Sequence, residues 1–261
     1  RRHPARREPT VITTHANQAG SAGKTTSAVT LAAMLAETGH TVLLVDSDAQ
    51  ANATTWLGVS NPSLTLGDVL LRRATLAQAT VETDVPGLRL IPAHEGLDGD
   101  ALELSRVLGG EQRLRMALQD TGADVILVDC PGALSILTVA ALVASDSVIT
   151  VTQPTVKELA GVPKMEATVH EVRDAYNPKL RFGAVIPCIV PPSAAGALYS
   201  EALTLLCEQY GDLVTPPVRR SVRIPEAYAQ QTPLSIHAPS EAVTHDYRAV
   251  LNHLIQSGVL P

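Results

Sequence analysis

The residues that most constrain this chain are Asn17-Gln-Ala-Gly-Ser-Ala-Gly-Lys-Thr-Thr26, set between a β-branched run and a helical segment. The run Thr10–Ala16 is short, rich in Val, Ile and Thr, and bounded by turn residues, as a buried strand requires. Val29, Leu31, Ala32, Met34 and Leu35 then recur at helical spacing until Gly39 ends the segment. Strand, glycine loop and helix in that order make a cradle for phosphate. Backbone N–H groups of the loop close around the anion, and the positive end of the helix dipole faces it. Lys24 is placed to reach the β- and γ-phosphates, and the Thr25 hydroxyl to bind Mg²⁺. Gly20, Ser21, Ala22, Gly23, Lys24, Thr25 and Thr26 therefore read as the binding loop for a nucleoside triphosphate, with ATP as the expected ligand. A glycine-rich turn carrying a solvated lysine would not need this ordered context.

Further apolar β-type runs stand at 41–46, 88–93, 124–129, 147–152 and 182–190. Helical-period segments lie at 24–38, 101–119, 136–144, 157–175, 199–209 and 242–256. The alternation predicts an α/β fold, a mostly parallel sheet with helices on both faces. Residues 60–100 are less regular and are expected to form a surface excursion around a short helical patch holding Arg72-Arg73. Ligands of such sheets bind at the carboxyl ends of strands. The glycine loop, Asp46-Ser47-Asp48 and Asp129 each follow a β run directly, so they should converge on one edge.

Val42-Leu-Leu-Val-Asp46-Ser-Asp48 ends a strand with two carboxylates two residues apart, a spacing that places both on one face of an extended segment. Beside a phosphate, one acid could hold metal-bound water and the other orient the attacking water. Val125-Ile-Leu-Val-Asp129 is an apolar strand closing on an acid, the Walker B arrangement. A carboxylate there is costly to bury unless it meets a cation or hydrogen-bond donors, and Mg²⁺ with its waters would satisfy it.

The 261 residues suit one large α/β domain over 10–261, with 1–9 as a flexible basic tail carrying Arg1, Arg2, Arg6 and Arg7. A net charge of −6 argues against a generally DNA-coating surface, though not against a local basic patch. Cys130, Cys188 and Cys207 are too widely spaced for a disulfide framework or a zinc pattern, and the histidines are scattered singly. No apolar run reaches transmembrane length and no signal peptide is visible, so a cytoplasmic protein is expected.

The loop departs from the ordinary P-loop, which has Gly where this chain has Gln18, and fits better the deviant form K-G-G-x-G-K-[ST]. With Val45-Asp46-x-Asp48-x-Gln50-x-Asn52-Ala53-Thr54 and Val128-Asp129-Cys130-Pro131, it makes the chain resemble the ParA-type partition ATPases of the ParA/MinD group over nearly its whole length. The resemblance implies a P-loop ATPase using ATP and Mg²⁺. Asp48 would position water and act with Lys24 in catalysis, and Asp46 would lie near the magnesium shell with Thr25 and Asp129. It also implies a homodimer formed on ATP binding, nonspecific DNA contact, release by a ParB-like adaptor, and plasmid or chromosome segregation as the task. The protein would then associate with the nucleoid.

Two departures bear on mechanism. The family's signature lysine, which reaches across the dimer to the partner's phosphates, is Ala19 here, and the second glycine of the motif is Ser21. Weak hydrolysis, a substitute cation or an engineered change would each follow; weak or partner-dependent hydrolysis is the reading adopted. Val218-Arg-Arg-Ser-Val-Arg-Ile-Pro-Glu-Ala227 resembles the family's I-P-R-N-V-R-x-S-E-A. Arg220 and Arg223 match its arginines, and Arg219 stands in place of Pro. The three are the candidate DNA contacts, made to phosphate rather than to bases. The family's other basic loop falls near 191–196, which holds no Arg or Lys. The competing reading is therefore an ATP-binding, weakly hydrolysing regulatory or protein-positioning ATPase without DNA cargo. A metabolic enzyme or reductase on the same fold is a third class. The segment 242–256 reads as core-packing rather than a basic membrane-targeting helix.

Overall fold

The computed structural model describes residues 10–18, 23–191 and 197–261. Its seven strands are β1 (Val11–Ala16), β2 (Val42–Asp46), β3 (Val81–Glu82), β4 (Leu88–Ile91), β5 (Val125–Asp129), β6 (Ser147–Thr152) and β7 (Arg181–Pro187). They form one sheet in the order β3-β4-β2-β5-β1-β6-β7. Every pairing is parallel except β3 with β4. The inner strands are mostly apolar because both faces are covered, as the sequence predicts, with buried polar residues such as His15, Asp46 and Asp129 among them.

The helices are α1 (Lys24–Glu37), α2 (Asn52–Trp56), α3 (Leu66–Leu70), α4 (Leu76–Ala79), α5 (Leu97–Leu104), α6 (Arg113–Ala117), α7 (Ile136–Ala144), α8 (Val156–Leu159) and α9 (Gly161–Ala175), then α10 (Ala197–Tyr210), α11 (Arg223–Ala229), α12 (Leu234–His237) and α13 (Ala242–Gln256). On one face, Leu31 and Leu35 of α1 and Tyr247 and Leu254 of α13 share a buried core with Leu44, Leu127 and Ile149 of the sheet. On the other, Leu137 and Ala141 of α7 and Met165 and Val169 of α9 pack with Leu43, Ile126 and Val148. Successive strand residues point to opposite faces, so each strand feeds both cores. The segment 242–256 is a core helix, with Val243, Tyr247, Val250, Leu251 and Leu254 buried. Among the described residues no helix is long and apolar enough to cross a membrane.

Two expectations are corrected. The span 101–119 is not one helix: the chain breaks at Gly109, where φ is +72°, and passes through a 3-10 turn at Gly110–Gln112 before α6. Helical periodicity survives such a break because the apolar residues on both sides still face one core. The stretch 60–100 is more than a surface excursion. Leu66 and Leu70 of α3 are buried, and β3 adds an antiparallel edge to the sheet. Arg72-Arg73 falls in the turn after α3, where Arg73 pairs with Asp100 and Glu103.

Candidate functional site

β1 runs into the glycine loop, and α1 starts directly after it at Lys24. Gly23 precedes that helix with φ +93°, and a Cβ there would lie 3.3 Å from the Cys188 Cβ. Both facts require glycine: the left-handed backbone disfavours any L side chain, and the neighbouring strand end leaves no slack. Gly23→Ala should lower nucleotide affinity by about tenfold, from the roughly 1–2 kcal/mol cost of that backbone conformation. A fluorescent-nucleotide titration checks it, and wild-type affinity in the variant would mean the loop does not grip phosphate.

The sheet register puts three polar side chains in one row at the carboxyl edge. Asp46 of β2 pairs with Asp129 of β5, and Asp129 with His15 of β1. Rows further in on the same face are Leu44, Leu127 and Thr13, then Val42, Val125 and Val11. All three polar side chains are buried, and they behave differently.

Asp46 is pinned. Its Oδ2 accepts from the Thr54 amide at 2.8 Å and the Thr54 hydroxyl at 2.7 Å, and its Oδ1 from the Asp48 amide at 3.2 Å. Burial still pushes its pKa up to about 6, against the pull of these bonds. Asp129 has no such support. Neither of its carboxylate oxygens has a hydrogen-bond partner of normal length and angle among the described residues. Burial, and then the charge of Asp46, hold it well above the usual carboxylate range; the Thr25 hydroxyl and the Lys24 ammonium pull the other way. His15 has no hydrogen-bond partner at either ring nitrogen among the described residues, and burial pushes its pKa down to about 3, so the imidazole is neutral.

Asp48 leaves the strand. Its Oδ1 accepts from the Gln50 amide at 3.0 Å, closing a turn that delivers the chain into α2. Alternation therefore ends at Asp46, and the two acids do not share a face as the spacing predicts: Asp46 points into the fold while Asp48 lines an open cleft. That cleft, of 620 Å³, is walled by Gly23–Thr26, Asp48, Gln50, Asn52, Gly132 and residues of α11. Beside it lies a smaller, apolar hollow of 360 Å³ lined by Cys188, Val218, Ile224 and Tyr247. Behind it, the Ser27 hydroxyl lies 3.1 Å from the Tyr247 hydroxyl and 3.6 Å from the Cys188 sulfur.

The structure thus brings Gly23, Lys24, Thr25, Thr26, Asp46, Asp48 and Asp129 to one edge. Ala19, Gly20, Ser21 and Ala22 lie outside the described residues, as do the tail 1–9 and residues 192–196. Of the three arginines, Arg220 borders the apolar hollow. Arg219 forms a two-pronged pair with Asp246 at 2.6 and 2.8 Å, and Arg223 pairs with Glu226 at 2.9 Å and Glu241 at 3.1 Å. Arg220 is exposed and makes no ion pair among the described residues. Sequence reasoning missed Trp56, Tyr228, Thr54 and His15. Trp56 meets Tyr228 edge-on at 5.5 Å and donates to the Thr232 carbonyl at 3.0 Å, so α2 is tied to α11. That contact joins residues far apart in the chain and leaves no local pattern. His15 carried a signal, a titratable residue inside a strand otherwise fit for burial.

A family model described as an AAA domain matches residues 10–182. The chain is 35% identical over 229 residues to the chromosome partitioning protein ParA of Caulobacter vibrioides, covering 85% of each chain. It is 37% identical over 241 residues to the chromosome-partitioning ATPase Soj of Thermus thermophilus, covering 92% of this chain and 93% of that one. Among solved structures it is similar to cobyrinic acid a,c-diamide synthase from Mycobacterium smegmatis with bound ATP analog and magnesium. The TM-score is 0.81 at 29% identity, over 95% of both chains.

Proposed function

We propose, from the premise that this chain belongs to the ParA-type P-loop ATPases, that it is an ATP-dependent dimerising switch for plasmid or chromosome partition. The observation that carries the reading is the convergence of Lys24, Thr25 and Asp48 on one cleft beside an apolar hollow, with the buried Asp129 interacting with Thr25 and Lys24 behind it. The larger cleft would hold the triphosphate, and the hollow lined by Val218, Ile224 and Tyr247 would take the base. Gly23 and Thr26 would meet the phosphates through backbone N–H groups at the start of α1, and Gly20, Ser21 and Ala22, by their place in the motif, would complete that loop.

The residues also fit a magnesium ion. Asp129 has two buried carboxylate oxygens without a well-formed hydrogen bond among the described residues, next to the Thr25 hydroxyl, a hard oxygen donor set with charge to neutralise. Thr25 and Asp129 would hold the ion, with Asp46 adding negative charge behind them. When bound, magnesium neutralises charge developing on the phosphate oxygens. Lys24 supplies a fixed cation at the same phosphates. Asp48, held at the cleft wall by its own turn, orients the attacking water and accepts its hydrogen bond.

Ala19 brings no cation to a partner's phosphates, so turnover by the chain alone is weak and depends on a ParB-like adaptor. The ATP-bound dimer contacts DNA phosphates through the arginine segment and so follows the nucleoid. Arg219 and Arg223 are already paired with acids, which leaves Arg220 as the principal contact. This pairing also favours the second reading, an ATPase that positions protein cargo without DNA.

Binding to random-sequence duplex, with and without ATP over a range of salt, tests the choice. ATP-dependent binding is expected. Arg220→Ala should weaken it and reduce the slope of log affinity against log salt by about one, whereas Arg219→Ala should change it little. If the wild-type chain binds ATP and ignores duplex DNA at low salt, the partition reading fails and the scaffold reading replaces it.

A further inference from the structure

We infer that His15 is a positioning residue for Asp129, orienting its carboxylate through a shared water molecule. The inference rests on the magnesium-nucleotide reading above. Parallel pairing sets His15 and Asp129 side by side on the same sheet face, on strands about 4.8 Å apart. Both are buried, and all four of their polar atoms (Nδ1, Nε2, Oδ1 and Oδ2) lack a partner among the described residues. The two side chains are therefore neighbours in the sheet with no direct hydrogen bond between them, and a shared water would satisfy both.

A neutral imidazole suits that place because it donates at one nitrogen and accepts at the other. The tautomer that carries its proton on the side of the carboxylate row serves Asp129. The acceptor could be met from Thr13, two residues earlier on the same face, whose hydroxyl is buried and has no partner among the described residues. A buried water joining three such groups is the usual way a fold satisfies them.

The alternative, a histidine that only fills space, is disfavoured by its neighbours. Leu44, Leu127 and Ile149 fill the same core with apolar carbon. A valine at 15 would pack there without the cost of an unsatisfied buried polar group. On the other side of Asp129, Asp46 is already braced by Thr54. His15 is the remaining neighbour in the row able to orient the Asp129 carboxylate toward Thr25.

The test is the magnesium dependence of ADP binding to the purified chain, read by calorimetry and by thermal shift rather than by turnover. His15→Val should raise the magnesium concentration needed for half-maximal tightening by about tenfold, as for other partners that orient a metal ligand. Affinity for ADP without metal should stay at the wild-type level. His15→Gln, whose amide both donates and accepts, should recover most of the magnesium response, and His15→Asn, which is too short, should not. Should the valine variant fail to fold, the glutamine and asparagine pair carries the comparison. An unchanged magnesium requirement in His15→Val, or glutamine behaving like asparagine, overturns the inference alone. A wild-type chain whose ADP affinity ignores magnesium overturns both the inference and the reading beneath it.

Discussion

Replacing Asp129 by Asn is expected to lower ATP turnover by about 10²–10³ while making the nucleotide-free chain more stable at pH 8. The two effects have one cause. Asp129 sits at the end of an apolar strand with no hydrogen-bond partner for either oxygen among the described residues, so its charge is useful with magnesium and costly without it. Burial raises its pKa in the folded state above the ordinary carboxylate value. The folded chain therefore binds more protons than the unfolded chain between those two values. Stability falls as pH rises through that window, and the penalty is complete above the raised pKa. Asp46, pushed up to about 6, acts in the same direction up to about that pH. Removing the Asp129 charge should recover about 1–3 kcal/mol at pH 8, with Tm rising roughly 2–4 °C per kcal/mol in a chain of this size. Calorimetry of both proteins in EDTA at pH 5 and pH 8 measures it. A gap between the two that does not widen with pH would mean that Asp129 is not the strained group.

The second large effect is a gain. Ala19→Lys should raise basal turnover by about 10², the range over which a single charge-stabilising donor changes kcat, with little change in ATP affinity. The reason is differential binding: a lysine that reaches a partner's phosphates counts most when charge builds in the transition state. The effect should grow with protein concentration, because it requires two subunits. Single-turnover hydrolysis at several concentrations decides it. Equal rates for the wild-type chain and the Ala19→Lys variant would mean that another cation already fills the role, or that no face-to-face dimer forms.

Much of this was legible in the sequence because the signals are local. The segment Thr10–Glu37 reads as strand, loop and helix from residues that are contiguous in the chain, and the structure has those elements at Val11–Ala16 and Lys24–Glu37. Helices over 136–144 and 242–256 coincide with the predicted spans because apolar periodicity alone sets them. Convergence of the P-loop, Asp46, Asp48 and Asp129 followed from each ending a strand in a parallel sheet.

The resemblance already assigns Asp48 to water and Asp46 to the magnesium shell; the tertiary structure adds the physical difference between them. Thr54 claims Asp46, and a turn closed by the Gln50 amide presents Asp48 to the cleft. It also decided that Arg219 and Arg223 are paired with Asp246, Glu226 and Glu241, acids that motif matching does not weigh. Above all it set His15 beside Asp129, since register between β1 and β5 is a property of two segments more than a hundred residues apart. Local sequence determined the elements, the phosphate loop and the edge of the sheet where the site forms, because backbone preference and periodicity act over a few residues. Long-range pairing alone determined which buried polar groups are satisfied and which remain available for a ligand, because a hydrogen bond depends on distance in space.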